Sequence, residues 1–281
     1  MKAKKRGSFF AVLPFSVYAA IFIVAPLILI LIYSLTDKSN SFTLANFAKF
    51  FNFSKPIYIN SLLRSIYLAF IATLICLLIG YPVAYILAGI KSKLRNFLAF
   101  LFILPMWMNF LLRTYAWMFL LERNGMINMA LKAIGLPTLN IMNTQSAVVL
   151  GMVYNFLPFM IMPIYNMLCK MDHSLLEASH DLGANHMRTF FKVTLPLTMP
   201  GVYSGITMTF MPAVSTFIIT QLLGGGEMLI GDLIDMEFRR TDMAWGFGSA
   251  MAIILLVLIL LSMWISNMVG SDDADSGGII V

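Results

Sequence analysis

Six apolar stretches, each long enough to cross a bilayer, constrain the fold of this chain more than any other feature. A helix needs about 20 predominantly apolar residues to span the hydrocarbon core. The chain is 60% hydrophobic and 11% charged, whereas a soluble domain carries roughly 25% charged residues. The sequence therefore predicts an all-α membrane protein with six transmembrane helices, near Phe10–Leu35, Asn60–Ile90, Phe97–Leu121, Gln145–Leu168, Met199–Leu222 and Trp245–Met268.

The polar segments outside these stretches divide the chain into three parts. Residues 1–9 form a basic N-terminus, residues 10–268 form one transmembrane domain, and residues 269–281 form an acidic tail that we expect to be disordered. The first apolar stretch exceeds the 7–15 apolar residues of a signal peptide, which favours an uncleaved first span. The positions of Cys76 and Cys169 indicate neither a disulfide nor a metal site.

Basic residues predict the orientation of the spans, because Lys and Arg are enriched in cytoplasmic segments. The N-terminus, the loop after the second span and the loop after the fourth carry more basic residues over less chain than the segments on the other side. This bias places both termini in the cytoplasm. The basic residues assigned to the cytoplasmic side are Lys2, Lys4, Lys5, Arg6, Lys91, Lys93, Arg95, Lys170, Arg188 and Lys192.

The polar loop at residues 172–196, between the fourth and fifth spans, carries the strongest functional signal. Ser174 and Glu177 have the spacing of a capping box, in which the serine caps a helix and the glutamate bonds back to the N-cap N–H. This pattern predicts a short helix at Leu175–Leu182. Gly183 follows and is suited to the left-handed position that ends a helix.

The second half of the loop predicts another short helix, at about His186–Val193. We expect this helix to stop before Pro196, because the residue before a proline avoids helical geometry. Together the two helices form a compact helix–turn–helix unit on the cytoplasmic side. Such a unit is small enough to enter a cleft on another protein.

This loop resembles the EAA motif of ABC importer permeases, which reads Glu-Ala-Ala, three residues, Gly, nine residues, Ile-x-Leu-Pro. The chain departs from it at Ser179, where alanine is usual, and at Val193, where isoleucine is usual. The resemblance implies a coupling helix that enters a groove on an ATPase subunit and transmits nucleotide-driven closure. The residues that it assigns to ATPase docking are Glu177, Ala178, Ser179, Gly183, Leu195 and Pro196.

The resemblance extends over nearly the whole chain. Gly80–Tyr85, Leu104–Asn109 and Val153–Met160 are similar to segments of the spermidine/putrescine permeases (PotB type). These are type I, MetI-like, binding-protein-dependent inner-membrane components. The resemblance implies a multi-pass permease in the bacterial cytoplasmic membrane that imports polyamines by alternating access. The implied partners are a sister permease (PotC type), an ATPase dimer (PotA type) and an extracytoplasmic solute-binding protein (PotD type).

Two other functions stay open at this point. One is an ABC permease for another small solute, and the other is a self-sufficient secondary transporter. The second would be expected to show an inverted repeat or an acid relay within the spans, and neither is apparent in the sequence. The chain also lacks a G-x-x-x-x-G-K-[ST] phosphate loop. We therefore expect no enzyme activity and no cofactor in this chain, with ATP and Mg²⁺ bound by the partner ATPase.

Polar and aromatic residues inside the predicted spans are candidates to line a solute path. Asn109 and Arg113 lie one helical turn apart in the third span, and Tyr154 and Asn155 lie in the fourth. Polar residues at membrane depth usually face the bundle interior or a cavity, although an interhelical hydrogen bond worth ~0.6 kcal/mol is the alternative. Trp107 and Tyr154 can hold an ammonium by cation–π attraction of roughly 0.5–2 kcal/mol. Threonines recur in the fifth span: Thr209, Thr216 and Thr220.

Charged residues complete the candidate set. Arg113 is unsuited to contact with a cation, so we expect it to snorkel outward, to pair with Glu122 or Asp235, or to repel the solute at a gate. The loop after the fifth span concentrates acids that can attract a cationic solute. The candidates there are Asp232, Asp235 and Glu237. The alternative is a solvated loop whose acids pair with Arg239 and Arg240.

Overall fold

The computed structural model of this chain describes residues 13–37, 41–52, 56–90, 92–172, 174–240 and 245–275. The predicted basic N-terminus, Lys91 and residues 276–281 of the predicted tail lie outside the described residues. Within these ranges the regular elements are helices, with one isolated bridge between Thr36 and Phe42. The predicted all-α class is confirmed.

The helices vary widely in length, and the last continues to Asp275, beyond the predicted tail boundary at residue 268. Their bounds are α1 (Leu13–Ser34), α2 (Ala45–Phe50), α3 (Ile57–Gly89), α4 (Ser92–Trp107), α5 (Phe110–Leu121), α6 (Met126–Ala133), α7 (Gln145–Lys170), α8 (Ser174–Asp181), α9 (His186–Thr189), α10 (Leu195–Ser215), α11 (Ile218–Leu223), α12 (Ile230–Arg239) and α13 (Trp245–Asp275). The chain divides into two compact units. The first unit comprises Met1–Asn60 and Leu233–Leu258, and the second comprises Ser61–Asp232 and Ile259–Val281.

Among the described residues, four helices are long and apolar enough to cross a membrane, and a fifth crossing arises if one bent pair counts as a single span. The four segments are Leu13–Ser34, Ile57–Gly89, Gln145–Lys170 and Trp245–Ile265. The predicted third span is not one straight helix, because the chain bends by 90° between α4 and α5. Asn109 sits at this bend, where its side chain accepts a hydrogen bond from the Leu111 N–H (2.8 Å) and starts α5. The predicted fifth span is also interrupted, at residues 216–217 between α10 and α11.

Two helices widen for one π-helical turn shortly before a proline. Ahead of Pro196, the N–H of Leu195 bonds to the carbonyl of Phe190, and α1 has the same arrangement ahead of Pro26. A proline ring clashes with the carbonyl four residues earlier in a regular helix. A wider turn moves that carbonyl aside, so both helices continue through their prolines.

Close contact between α7 and α10 forms the core of the second unit. A Cβ added to Gly201 would lie 2.9 Å from the Pro163 carbonyl oxygen, and one added to Gly205 would lie 3.1 Å from the Met160 carbonyl oxygen. The two helices therefore run antiparallel with their backbones nearly touching. Ile164 is among the side chains fully buried around this contact.

Polar and aromatic contacts organise the first unit. The Asn46 side-chain amide donates to the carbonyls of Ser34 and Thr36, both at 3.1 Å. The Lys49 ammonium lies 3.8 Å from the centre of the Phe247 ring, within the range of a cation–π contact. These contacts join the end of α1 to α2 and α2 to the start of α13.

Candidate functional site

The first helix of the polar loop ends as the sequence predicts. Gly183 has a φ of +80°, in the left-handed region. Its N–H donates to the His180 carbonyl (2.8 Å), and the Ala184 N–H donates to the Ser179 carbonyl (3.0 Å). These two bonds form a Schellman motif, which satisfies carbonyls at the helix end and turns the chain sharply.

The start of the same helix differs from the prediction. The Ser174 N–H donates to the Asp172 carboxylate (2.9 Å), where the capping-box pattern assigned this role to Glu177. A carboxylate near the first turn also interacts favourably with the helix dipole. Glu177 is therefore left exposed on the surface of α8.

The second helix of the loop does not stop before Pro196, so that prediction is wrong. Asn185 caps α9 by accepting a hydrogen bond from the Arg188 N–H (2.8 Å). From α9 the chain continues through the π-helical turn at Phe190–Thr194, hereafter the wide turn, directly into α10. The widening is what accommodates the proline. The loop is thus continuous with a long helix of the second unit, with no break in the helical structure after α9 begins.

A hydroxyl pair joins the two halves of the loop. The hydroxyl oxygens of Ser179 and Thr189 lie 2.8 Å apart, and Ser179 donates to the Leu176 carbonyl (2.8 Å). Since the single Ser179 proton is used within α8, Thr189 is the donor between the two side chains. Ser179 is the position where the motif usually has alanine, so this bond is specific to the departure from the motif.

The loop exposes apolar side chains. Leu182 is 89% exposed, Met187 67% and Phe191 57%. These three side chains lie close together in the sequence, and an exposed apolar patch commonly marks an interaction site. Of the predicted docking residues, Ser179 and Leu195 are partly buried, and the exposed ones are Glu177, Ala178, Gly183 and Pro196.

Aromatic and hydroxyl contacts attach the wide turn to α3, and no sequence pattern predicted these contacts. The Phe190 ring lies edge-on to the rings of Tyr81 and Tyr85, with both centroid distances 5.6 Å. The Tyr81 hydroxyl lies 2.8 Å from the Thr198 hydroxyl in the buried interior. The similarity of Gly80–Tyr85 to permeases drew attention to this segment but did not show what it contacts.

Arg113 is buried in the second unit, with 7% of its surface exposed. Its Nε and Nη1 atoms are buried and have no hydrogen-bond partner. Among the described residues it forms no ion pair with Glu122, and the other expected partner, Asp235, binds Arg239 through both carboxylate oxygens (2.8 and 2.9 Å). The prediction that Arg113 snorkels outward is also wrong. Leaving two buried guanidinium nitrogens without hydrogen-bond partners is costly, which makes Arg113 a candidate for contact with a further component.

Other buried polar atoms lie on helices that meet α7. Asn155 is 1% exposed, and its amide nitrogen donates to the Gly151 carbonyl (2.9 Å) while its amide oxygen has no partner. The hydroxyls of Thr209 and Thr220 are likewise buried without a partner. Asn155 and Thr209 lie on α7 and α10, the two helices that are in close contact at Gly201 and Gly205. Buried polar atoms are nearly always hydrogen-bonded, so these acceptors are suited to water or to a solute.

The aromatic and bend residues among the candidates, Trp107, Asn109 and Tyr154, are exposed. The Tyr154 ring contacts the Trp117 ring edge-on, with centroids 5.3 Å apart. Trp107 is mostly exposed at the end of α4, next to the bend that Asn109 forms. A path lined by all of these residues stays a prediction.

The acidic candidates bond to local partners. Asp232 accepts a hydrogen bond from the Leu229 N–H (2.9 Å) at the start of α12. Asp235 bonds to Arg239 as described, and the buried Glu237 bonds to Arg240 at 3.2 Å. The pairs of Asp235 and Glu237 with Arg239 and Arg240 match one part of the alternative. Its other part, a solvated loop, is wrong, because these acids lie on α12 and Asp232 and Glu237 are buried. A role in attracting a cation stays a prediction.

Several known membrane transport proteins are similar in sequence to this chain. Residues 77–271 match the family described as binding-protein-dependent transport system inner membrane component. Over 253 residues the chain is 40% identical to the spermidine/putrescine transport system permease protein PotB of Haemophilus influenzae, covering 87% of each chain. It is 42% identical over 229 residues to the PotB of Escherichia coli K12, covering 79% of this chain and 82% of that protein.

Among solved structures, the chain is similar to a bacterial ABC transporter involved in the import of the acidic polysaccharide alginate. The TM-score is 0.80, with 96% of this chain and 97% of that chain covered. The sequence identity is 16%, so the likeness shows a shared fold and leaves the transported solute to other arguments.

Proposed function

This chain belongs to the family of binding-protein-dependent transport system inner membrane components, and we propose that it is the permease subunit of an ATP-driven polyamine importer. The observation that carries the cargo class is the identity of 40% to 42% with spermidine/putrescine permeases over most of the chain. The exposed apolar loop at α8 and α9 supports the second part of the proposal, docking on a partner ATPase.

The proposed coupling uses the continuity of the loop with α10. Closure of the ATPase subunits pushes on α8, and the Ser179–Thr189 hydrogen bond passes the displacement to α9. From there it travels through the wide turn into α10, which touches α7 along their glycine contacts. Movement of α10 against α7 then changes access to the buried acceptors near Asn155. ATP and Mg²⁺ are bound and used by the partner, not by this chain.

The proposed cargo chemistry follows from those acceptors. A polyamine carries several ammonium groups, each of which donates hydrogen bonds and accepts none. The amide oxygen of Asn155 and the hydroxyl oxygen of Thr209 are neutral acceptors that can replace part of an ammonium's hydration. The Tyr154 and Trp117 rings add a cation–π surface at the edge of the same region.

The proposed assembly contains the partners that the family resemblance implies. A sister permease forms the other half of the path, two ATPase subunits bind the cytoplasmic loops, and an extracytoplasmic solute-binding protein delivers the cargo. The orientation proposed from the basic residues places both termini in the cytoplasm. It also places α8 and α9 on the side where ATP is available.

The proposal is tested by the ATPase activity of the purified complex with its encoded binding protein. Putrescine, spermidine and unrelated solutes are compared at equal concentration. We expect stimulation by polyamines alone. Stimulation only by another solute would contradict the proposed cargo and would leave the permease assignment intact.

The coupling part of the proposal is tested by Glu177→Gln, with Glu122→Gln as the matched control, because both carboxylates are exposed. Loss of polyamine-stimulated ATPase is expected for the first variant and not for the second. Equal activities in both would remove the role of Glu177 in docking.

A further inference from the structure

The wide turn at Phe190–Thr194 is a point at which the path from α8 to α10 can bend. Helices bend most readily at π-helical turns, because the regular hydrogen-bond ladder is interrupted there. Pro196 lies just beyond it and removes another backbone donor. A push on α8 is therefore absorbed by bending at this turn unless side chains brace it.

Tyr81 on α3 contacts the chain on both sides of the wide turn. Its ring meets Phe190, the first residue of the turn, edge-on at 5.6 Å. Its hydroxyl lies 2.8 Å from the Thr198 hydroxyl, one helical turn beyond the end of the wide turn. A single rigid side chain thus holds both ends of the segment that would otherwise bend.

The direction of the hydroxyl bond follows from the neighbouring contacts. The Thr198 hydroxyl lies 2.9 Å from the Thr194 carbonyl and 3.1 Å from the Leu195 carbonyl, and both oxygens accept from its one proton. The Tyr81 hydroxyl must therefore donate to Thr198. The bond links α3 directly to a threonine that is itself tied to the last residue of the wide turn.

We propose that Tyr81 is a positioning residue for transport, bracing the wide turn so that displacement of α8 moves α10 and α3 together. This inference rests on the proposed function, in which a partner ATPase displaces α8. Without this contact, part of the displacement that the ATPase produces bends the wide turn and moves neither helix. The consequence is ATP hydrolysis with less transport, while folding and docking are retained.

The test is the number of polyamine molecules transported per ATP hydrolysed by the complete complex in proteoliposomes. Tyr81→Phe keeps the ring against Phe190 and removes the hydroxyl bond. Because a neutral hydrogen bond is worth about 1 kcal/mol, or roughly fivefold in an equilibrium, we expect the ratio to fall about fivefold with ATPase activity kept. Tyr85→Phe is the matched control, since Tyr85 touches the same Phe190 ring and its hydroxyl makes no hydrogen bond among the residues with described side chains.

Variants at the other end of the bond separate bracing from general stability. Thr198→Val should lower the ratio as Tyr81→Phe does, and Thr198→Ser, which keeps a hydroxyl, should restore it. The double variant Tyr81→Phe/Thr198→Val should be no worse than either single variant, because both remove one bond. An additive double variant, or a proportional loss of ATPase and transport in all of them, overturns the positioning role.

Different results would contradict the proposed polyamine import and the proposed role of Tyr81. A wild-type complex without polyamine-stimulated ATPase contradicts the proposed cargo before any variant is compared. A wild-type complex that transports polyamines, together with a Tyr81→Phe complex of unchanged ratio, contradicts only the brace.

Discussion

Replacing Gly183 by alanine isolates the contribution of the turn between α8 and α9. The residue has a φ of +80°, and a Cβ added to it meets no atom within 4 Å. The substitution therefore creates no clash, and its cost is that of placing alanine in the left-handed region, about 1–2 kcal/mol. A cost of that size shifts a local equilibrium by roughly 5- to 30-fold. The favoured alternative is a helix that continues past residue 183 and displaces α9.

The assay is polyamine-stimulated ATPase and transport of the complete complex, with thermal unfolding measured in parallel. Gly135→Ala is the matched control. Gly135 has a φ of +76°, has equally open space around its Cβ position, and ends α6 with the same pair of bonds, from its own N–H to Lys132 and from Leu136 to Leu131. Both variants should lose a similar amount of stability, and only Gly183→Ala should lose coupling.

A second control tests the conformational argument itself. Gly89 lies in the last turn of α3 with ordinary helical geometry and open space, so alanine there should be neutral or slightly stabilising. If Gly135→Ala lost as much coupling as Gly183→Ala, the reasoning about the docking loop would be refuted. Wild-type stability and coupling in Gly183→Ala would show that the left-handed turn is not required.

Three further predictions follow from particular contacts. Gly201→Ala forces its Cβ to 2.9 Å from the Pro163 carbonyl oxygen, so we expect a loss of about 1–3 kcal/mol in detergent unfolding; unchanged unfolding would contradict the close approach of α7 and α10. Arg113→Met removes buried donors without partners and should raise the stability of the isolated subunit by about 1–3 kcal/mol, and a decrease would reveal an acceptor. Arg64→Gln removes an exposed 3.6 Å ion pair with Glu227 and should leave the unfolding temperature nearly unchanged, in contrast to the other two.

The polar loop shows which structural features a local sequence pattern predicts and which it does not. Gly183 was predictable as a helix end because only its own backbone conformation and the neighbouring carbonyls are involved. The capping of Ser174 was not, because Asp172 and Glu177 both lie within reach of the same N–H and the pattern does not decide between them. The end of the second helix was misplaced because the rule for prolines assumes a regular helix, and the wide turn at Phe190–Thr194 relaxes that assumption.

The apolar spans likewise have some features that the sequence predicted and others that it did not. Hydropathy located four stretches that form helices long and apolar enough to cross a membrane among the described residues, since it depends only on composition over a window. It did not show that Asn109 breaks the third stretch with a 90° bend, or that the fifth is interrupted at residues 216–217. The bend at Asn109 depends on its side chain accepting from the Leu111 N–H, and a hydropathy average does not register such a bond.

The sequence by itself determined the all-α membrane class, the family resemblance and the position of the polar loop for which we propose a docking role, because each of these depends on composition or on residues close together in the chain. Only the tertiary structure showed that Tyr81 bonds to Thr198, a partner 117 residues away, and that two buried nitrogens of Arg113 have no hydrogen-bond partner. Such contacts depend on how α3, α7 and α10 approach one another. That approach is set by complementary packing, such as the fit of Gly201 and Gly205 against α7, which no local pattern specifies.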